Sequence, residues 1–248
     1  MDFTIEELTM NAWPSLQTIL LDGWIIRMAG GYTKRANSVN PIYSFENNLD
    51  EKINYCENIY EQNNLPKIYK IIECEDHKII DKRLEELNYQ KIDLTSVQIC
   101  YDIKRINNKI EQIVIDNKFT ENWKKCFYYC NNITNTKTIS IIENMLKNIR
   151  HNIISAYKMD NGTFAGCGYG VIEKGFVGLF DIVVKEEFRG KGYGKEIIET
   201  ILDKARETGI EKAYLSVVNS NIIAKKLYGK MGFKEIYKYW YRKKIKTK

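Results

Sequence analysis

The sequence predicts an α/β (α+β) protein, a mixed central sheet flanked by helices and preceded by a smaller lobe. Three observations predict it. Short β-branched and aromatic runs alternate with amphipathic helical stretches along the chain. A late apolar run, Phe180 to Val184, passes through a charged bend into a glycine-rich helix start. The length, 248 residues, suffices for one large or two small domains.

In the first half, residues 6–20 carry an amphipathic pattern broken at Pro14, which predicts two short helical pieces. Gly23 to Met28 reads as a strand, Ala29-Gly30-Gly31 as a turn, and Val39 to Phe45 as a strand interrupted at Pro41. Asp50 to Gln62 reads as a helix with Ile53, Cys56, Ile59 and Tyr60 inward. A strand over Lys67 to Cys74, a helix over Lys78 to Leu87 and a strand over Gln90 to Ile103 follow. The order β-β-α-β-α-β is a self-sufficient layer arrangement. Polar Asn107 to Gln112 marks the boundary, giving lobes 1–106 and 107–248.

In the second half, Ile113 to Ile115 is a strand, and Thr120 to Cys130 and Thr138 to Ile149 are helices. Ile153 to Met159 and Thr163 to Ile172 form a hairpin around Asp160-Asn161-Gly162. Gly175 to Val184 leads into the glycine-rich turn. After it, Ile197, Ile198, Ile201, Leu202 and Ala205 share one helical stripe. Lys212 to Val218 is a strand. Asn219, Ser220 or Asn221 caps a helix with Ile223, Leu227 and Met231 on one face, stopped by Gly232. Lys234 to Arg242 closes the sheet.

Composition narrows the function. No apolar run is long enough to span a bilayer, so no membrane role is expected. The acidic start, Met1 to Glu7, lacks a signal-peptide pattern. Six cysteines are scattered with no Cys-x-x-Cys pair, which points to reduced thiols in a cytoplasmic protein and to no metal site. A net charge of +6 suits an anionic ligand. A nucleic-acid role would rest on the basic tail, Arg242 to Lys248, alone, and is disfavoured.

The turn itself carries chemistry. Arg189, Gly190, Lys191, Gly192, Tyr193 and Gly194 stand at a helix N-terminus straight after a buried strand. The first N–H groups of a helix lack internal partners, and the helix dipole favours negative charge there. Glycines permit close backbone approach, and Arg189 and Lys191 add positive charge. The reading is an anion site for a phosphate or pyrophosphate. The P-loop pattern fails because Glu196 follows Lys195, and the dinucleotide pattern fails because Lys195 stands where its third glycine belongs.

What fits is Arg-x-x-Gly-x-Gly at Arg189, Gly192 and Gly194. A second stretch, Asn221-x-x-Ala224-x-x-Leu227-Tyr228-x-x-x-Gly232-Phe233, follows at a plausible separation. On these residues the chain resembles the GNAT superfamily of acyl-coenzyme A-dependent N-acetyltransferases, and the element order of the second half matches. Trp13-Pro14, Gly23 to Arg27 and Arg35 to Val39 are similar to the N-terminal lobe of two-lobed bacterial members, which implies a degenerate GNAT-like lobe that does not hold coenzyme A. Glu186 stands where the family often has proline.

The resemblance implies acetyl-coenzyme A as cosubstrate, with the backbone of Arg189 to Gly194 on its pyrophosphate. Main-chain groups of Ile182, Val183 and Val184 would take the pantetheine arm like an added strand edge. Tyr228 occupies the family's position for protonating the leaving thiolate; helix packing is the alternative. Asn221 sits where the family contacts the pantetheine arm; helix capping is the alternative. An acceptor amine must lose a proton, so Asp181, Glu173 or a water chain would act as base, although both carboxylates also read as surface groups. Arg27, Arg35 and Asn37 read either as turn and strand-edge structure or as lining of an acceptor cleft. The expected partner is an amine-bearing small molecule or peptide, and the expected state a monomer or homodimer. A non-catalytic acyl-coenzyme A sensor is the rival reading.

Overall fold

The computed structural model describes residues 4–43, 48–103 and 113–245. The boundary at Asn107 to Gln112, Phe45 and the end of the basic tail lie outside the described residues. The first half comprises α1 (Thr4–Ala12), β1 (Gln17–Leu21), β2 (Trp24–Met28), β3 (Val39–Pro41), α2 (Leu49–Gln62), β4 (Ile68–Ile72), α3 (Lys78–Glu86) and β5 (Tyr89–Cys100). The second comprises β6 (Ile113–Asp116), α4 (Glu121–Cys130), α5 (Thr136–Lys147), β7 (Asn152–Asp160), β8 (Thr163–Glu173), β9 (Phe176–Val184), α6 (Tyr193–Glu207), β10 (Lys212–Val218), α7 (Ile222–Lys230) and β11 (Lys234–Lys244).

These strands form one mixed sheet in the order β1-β2-β3-β4-β11-β5-β10-β9-β8-β7-β6. The last strand is not the closing edge that the sequence suggests. β11 lies between β4 and β5, antiparallel to both, so strands from the two halves interleave. β3–β4 and β9–β10 run parallel, and the other neighbours are antiparallel.

Strand alternation divides the core into two faces. On one face, α1, α4 and α5 cover an aromatic cluster that includes Trp13, Trp123, Phe127, Tyr169, Phe180 and Tyr214. On the other, α6 and α7 pack on Leu179, Ala213, Leu215 and Val217, while α2 and α3 pack on Trp24, Ile26, Tyr69, Ile71 and Trp240. A buried ion pair between Glu6 of α1 and Lys70 of β4 pins the first helix to the sheet. Tyr237 of β11 donates to the other Glu6 oxygen at 2.7 Å.

Two further local expectations change. Residues 17–21 form β1 rather than a second helical piece. Leu21 pairs with Trp24, so Asp22 and Gly23 make a two-residue hairpin turn, both at positive φ (39° and 76°). Asp-Gly is a hairpin signal that outweighs the apolar spacing before it. On α7, Ile223 is 84% exposed, and the packing face is Ala224, Leu227, Tyr228 and Met231. That face follows the i, i+3, i+4, i+7 spacing more fully than the Ile223 stripe does.

Candidate functional site

The site begins with a defect in the sheet. β9 and β10 pair only from Phe176↔Lys212 to Leu179↔Leu215. Just beyond, Asp181 and Ile182 together oppose the single residue Gly168 on β8, which is a β-bulge. Asp181 takes φ of +48°, the left-handed region that Asp tolerates better than most residues. A Cβ at Gly168 would lie 2.3 Å from Ile182 Cδ1, so only glycine fits opposite the bulge. Trp123 Nε1 of α4 donates to the Gly168 carbonyl at 3.0 Å, which ties α4 to the bulge. The bend turns β9 away from β10 and leaves the facing edges of residues 180–184 and 216–218 without ladder partners between those two strands.

The opening is a cleft of about 450 Å³. Leu179 to Ile182 form one wall and Tyr214 to Val218 another, with Asn221 and Tyr228 of α7 behind them. Thr33, Lys34, Arg35, Asp93 and Thr95 from the first half and Tyr239 and Tyr241 from β11 complete it. Only Arg35 of these seven stood out in the sequence. Asp93, at φ +51°, pairs with Lys34 at 2.8 Å, and neither carries a motif. The interleaving of β11 is what brings them here.

The glycine turn expected to hold an anion follows at the end of β9. A short 3₁₀ turn over Glu186 to Phe188 carries the chain to Arg189, which is exposed. Gly190 and Gly192 adopt φ of +81° and +87°, with no atom within 4 Å of where a Cβ would stand. α6 then starts at Tyr193, with Gly192 as its N-cap residue. Among the described residues, no hydrogen bond engages the backbone N–H groups of residues 190–195. Six successive free amides around an open glycine turn fit a diphosphate, and the open β9 edge fits an amide-bearing arm. Lys191 does not stand free at this mouth. Its Nζ bonds Asp160 Oδ2 at 2.9 Å, and Tyr193 donates to the same oxygen at 2.8 Å. Those two bonds hold the Asp160 carboxyl below its usual range.

Tyr228 lines the cleft half-buried, its ring edge-on to Phe233 at 5.9 Å. Burial pushes its hydroxyl up to about 12. Asn221 caps α7, its Oδ1 accepting from Ala224 N at 3.1 Å, and also lines the cleft. Asp181 sits on the bulge with Arg35 Nη2 at 2.7 Å from Oδ1. Burial lowers and Asp181 raises the Arg35 guanidinium, and the net direction is up, which keeps it charged.

Other candidates do not reach the cleft. Glu173 closes the far end of β8, bonded by Asn11 Nδ2 at 2.9 Å, with His151 at 3.3 Å. Arg27 is buried and donates to the carbonyls of Met10, Trp13 and Arg35. Asn37 is buried and knits the loop through Ala29, Gly31, Tyr32 and Thr33. Both build the loop that presents Arg35.

A parallel strand pair parted by a bulge, with an open glycine turn at its mouth and the Tyr228 helix behind, thus frames the cleft. A family model described as "Probable histone acetyltransferase Rv0428c C-terminal" matches residues 4–242, and the chain belongs to that family. YobR of Bacillus subtilis (strain 168), an uncharacterized N-acetyltransferase, is 29% identical over 253 residues, covering 96% of each chain. A ribosomal protein bS18-alanine N-acetyltransferase of Haemophilus ducreyi is 36% identical over 58 residues, covering 23% of this chain and 40% of its own. In fold, the chain is similar to a functionally unknown conserved protein from Staphylococcus epidermidis (TM-score 0.70, 11% identity, 99% and 98% covered). A tandem GNAT protein from the clavulanic acid biosynthesis pathway shares the fold at TM-score 0.59 and 10% identity, with 78% and 69% covered. The chain is thus an N-acetyltransferase of the GNAT type. No described helix is long and apolar enough to cross a membrane.

Proposed function

We propose that the protein transfers an acetyl group directly from acetyl-coenzyme A to a primary amine. The observation that carries this reading is the run of free amides at residues 190–195, beside the open edge of β9. When bound, the cosubstrate supplies an activated thioester. The amides of Gly190 to Gly194 and the exposed Arg189 would hold the diphosphate, and Arg offers forked donors suited to it. Main-chain groups of Ile182, Val183 and Val184 would align the arm so that its reactive end reaches the cleft. Asn221, already spent as a cap, would fix the start of α7 against it.

Tyr228 is the proton donor to the departing thiolate in this reading. Its hydroxyl, pushed up to about 12, holds its proton at neutral pH, and among the described residues no hydrogen bond claims it. Asp181 is the proton acceptor for the amine. One of its oxygens faces Arg35, and the other is buried without a hydrogen-bond partner, so the proton would reach it only once the bound amine or a relaying water displaces its neighbours. Six free cysteines support a reducing compartment, the cytoplasm.

Calorimetry with acetyl-coenzyme A and a thiol-release assay over a panel of amines test the proposal. Tyr228→Phe is expected to lower kcat by about 10- to 100-fold while cofactor affinity holds. Equal turnover by the variant would remove Tyr228 from the chemistry. Binding without release on any amine would leave a sensor.

A further inference from the structure

Among the described residues, Arg35 is the one guanidinium in the cleft wall, and it is under-used. Its contact with Asp181 is a single point, Nη2 to Oδ1 at 2.7 Å, and among the described residues its side chain makes no other hydrogen bond. A guanidinium has five N–H donors and usually meets a carboxylate through two parallel bonds. Asp181 Oδ2, buried and without a hydrogen-bond partner, is the half of that fork left unmade. An incomplete pair of this kind has donors left for a third group.

The head of Arg35 is also held in place. Its own carbonyl accepts from Arg27 Nη1 at 2.7 Å. Its guanidinium lies 5.1 Å from the centre of the Trp13 ring, and Trp13 Nε1 donates to Thr33 Oγ1 at 3.0 Å. The side chain is 27% exposed, so its charge works in a part-desolvated setting where forked bonds discriminate well. A positive fork and a negative carboxylate stand side by side in the wall. That arrangement matches a ligand with an anionic and an amino group side by side.

We propose that the acceptor is an amine carrying a carboxylate on the adjacent carbon, and that Arg35 reads that carboxylate. The inference rests on the amine-transfer reading above. The carboxylate lies on the free edge of the Arg35 fork, and the amine lies toward Asp181. The first half of the chain then supplies acceptor specificity, while the second half supplies the cofactor turn.

The test compares free amino acids with their carboxamides, using alanine against alaninamide and lysine against lysinamide, as a ratio of kcat/KM from thiol release. Taking a ratio cancels any loss of folded enzyme. The parent is expected to favour the free acids by about tenfold or more. Arg35→Gln should lower the ratio about tenfold or more relative to the parent at the same pH, and Arg35→Lys, which keeps charge without the fork, should fall between. A parent that acetylates amides as well as acids overturns the proposal. So does an Arg35→Gln enzyme that keeps the parent's ratio. A parent that releases no thiol with any amine fails one level lower and removes the transfer reading itself, which calorimetry with acetyl-coenzyme A reports separately.

Discussion

Tyr228 and His77 show how burial sets the state of a side chain. For Tyr228, burial raises the hydroxyl to about 12, so the protonated form persists through pH 10. Any alkaline limb of activity below that pH should survive in Tyr228→Phe. For His77 burial acts in the opposite direction and pulls the imidazole below its ordinary 6.5, because the charged form is desolvated. Its Nδ1 accepts the Ile72 N–H at 2.9 Å, a bond that protonation at Nδ1 would remove. The unfolded chain therefore binds a proton at His77 more readily than the native one. Stability from this group is present above pH 6.5 and is lost as pH falls toward the native value. Thermal melts from pH 7.5 to 5 should show a midpoint that drops below pH 6.5. His77→Gln should flatten that part of the curve, and an unchanged slope would rule His77 out.

At the scale of elements, the anion turn and the bulge are each held by glycine for different reasons. Gly168 is required by space, since Ile182 fills the place of a Cβ. Gly192 is required by backbone angle alone, as φ is +87° and the surrounding space is open. Gly192→Val therefore overpacks nothing and acts through the turn geometry, at about 1–3 kcal/mol of local strain. Affinity for acetyl-coenzyme A should fall about tenfold or more by calorimetry. A variant that binds as tightly as the parent would place the diphosphate elsewhere. Lys191 is expected to matter less than Arg189 here, because Asp160 already holds it.

For the whole molecule, the decisive feature is β11. Both β4 and β5 take their ladder from it along most of their length. A fragment of residues 1–106 would have to join β4 and β5 directly or leave two long unpaired edges. We expect that fragment to lack cooperative unfolding and to be cut rapidly by protease, while the full chain melts in one transition. A stable fragment with native-like circular dichroism would show that the first half stands alone. The buried Glu6–Lys70 pair and the Tyr237 bond add to this coupling, since they join α1, β4 and β11 across the two halves.

Much of this was legible in the residues. The 3.6-residue stripe of Ile197, Ile198, Ile201, Leu202 and Ala205 gave α6, and all five are buried. The glycine spacing gave the open turn at the start of α6, and Asn221 gave the α7 cap, because these depend on neighbours within one or two turns of chain. The β1 hairpin was also within reach through Asp22-Gly23, but an apolar pattern read as helical hid it. The class of fold and the open glycine turn at the start of α6 could be read from neighbouring residues, because both rest on local backbone geometry. The place of β11, the bulge at Asp181, and the meeting of Arg35, Asp93 and Tyr241 in one cleft became visible only in the folded chain. Strand order and cross-strand partners are set by contacts far apart in sequence, and such contacts leave no spacing to read.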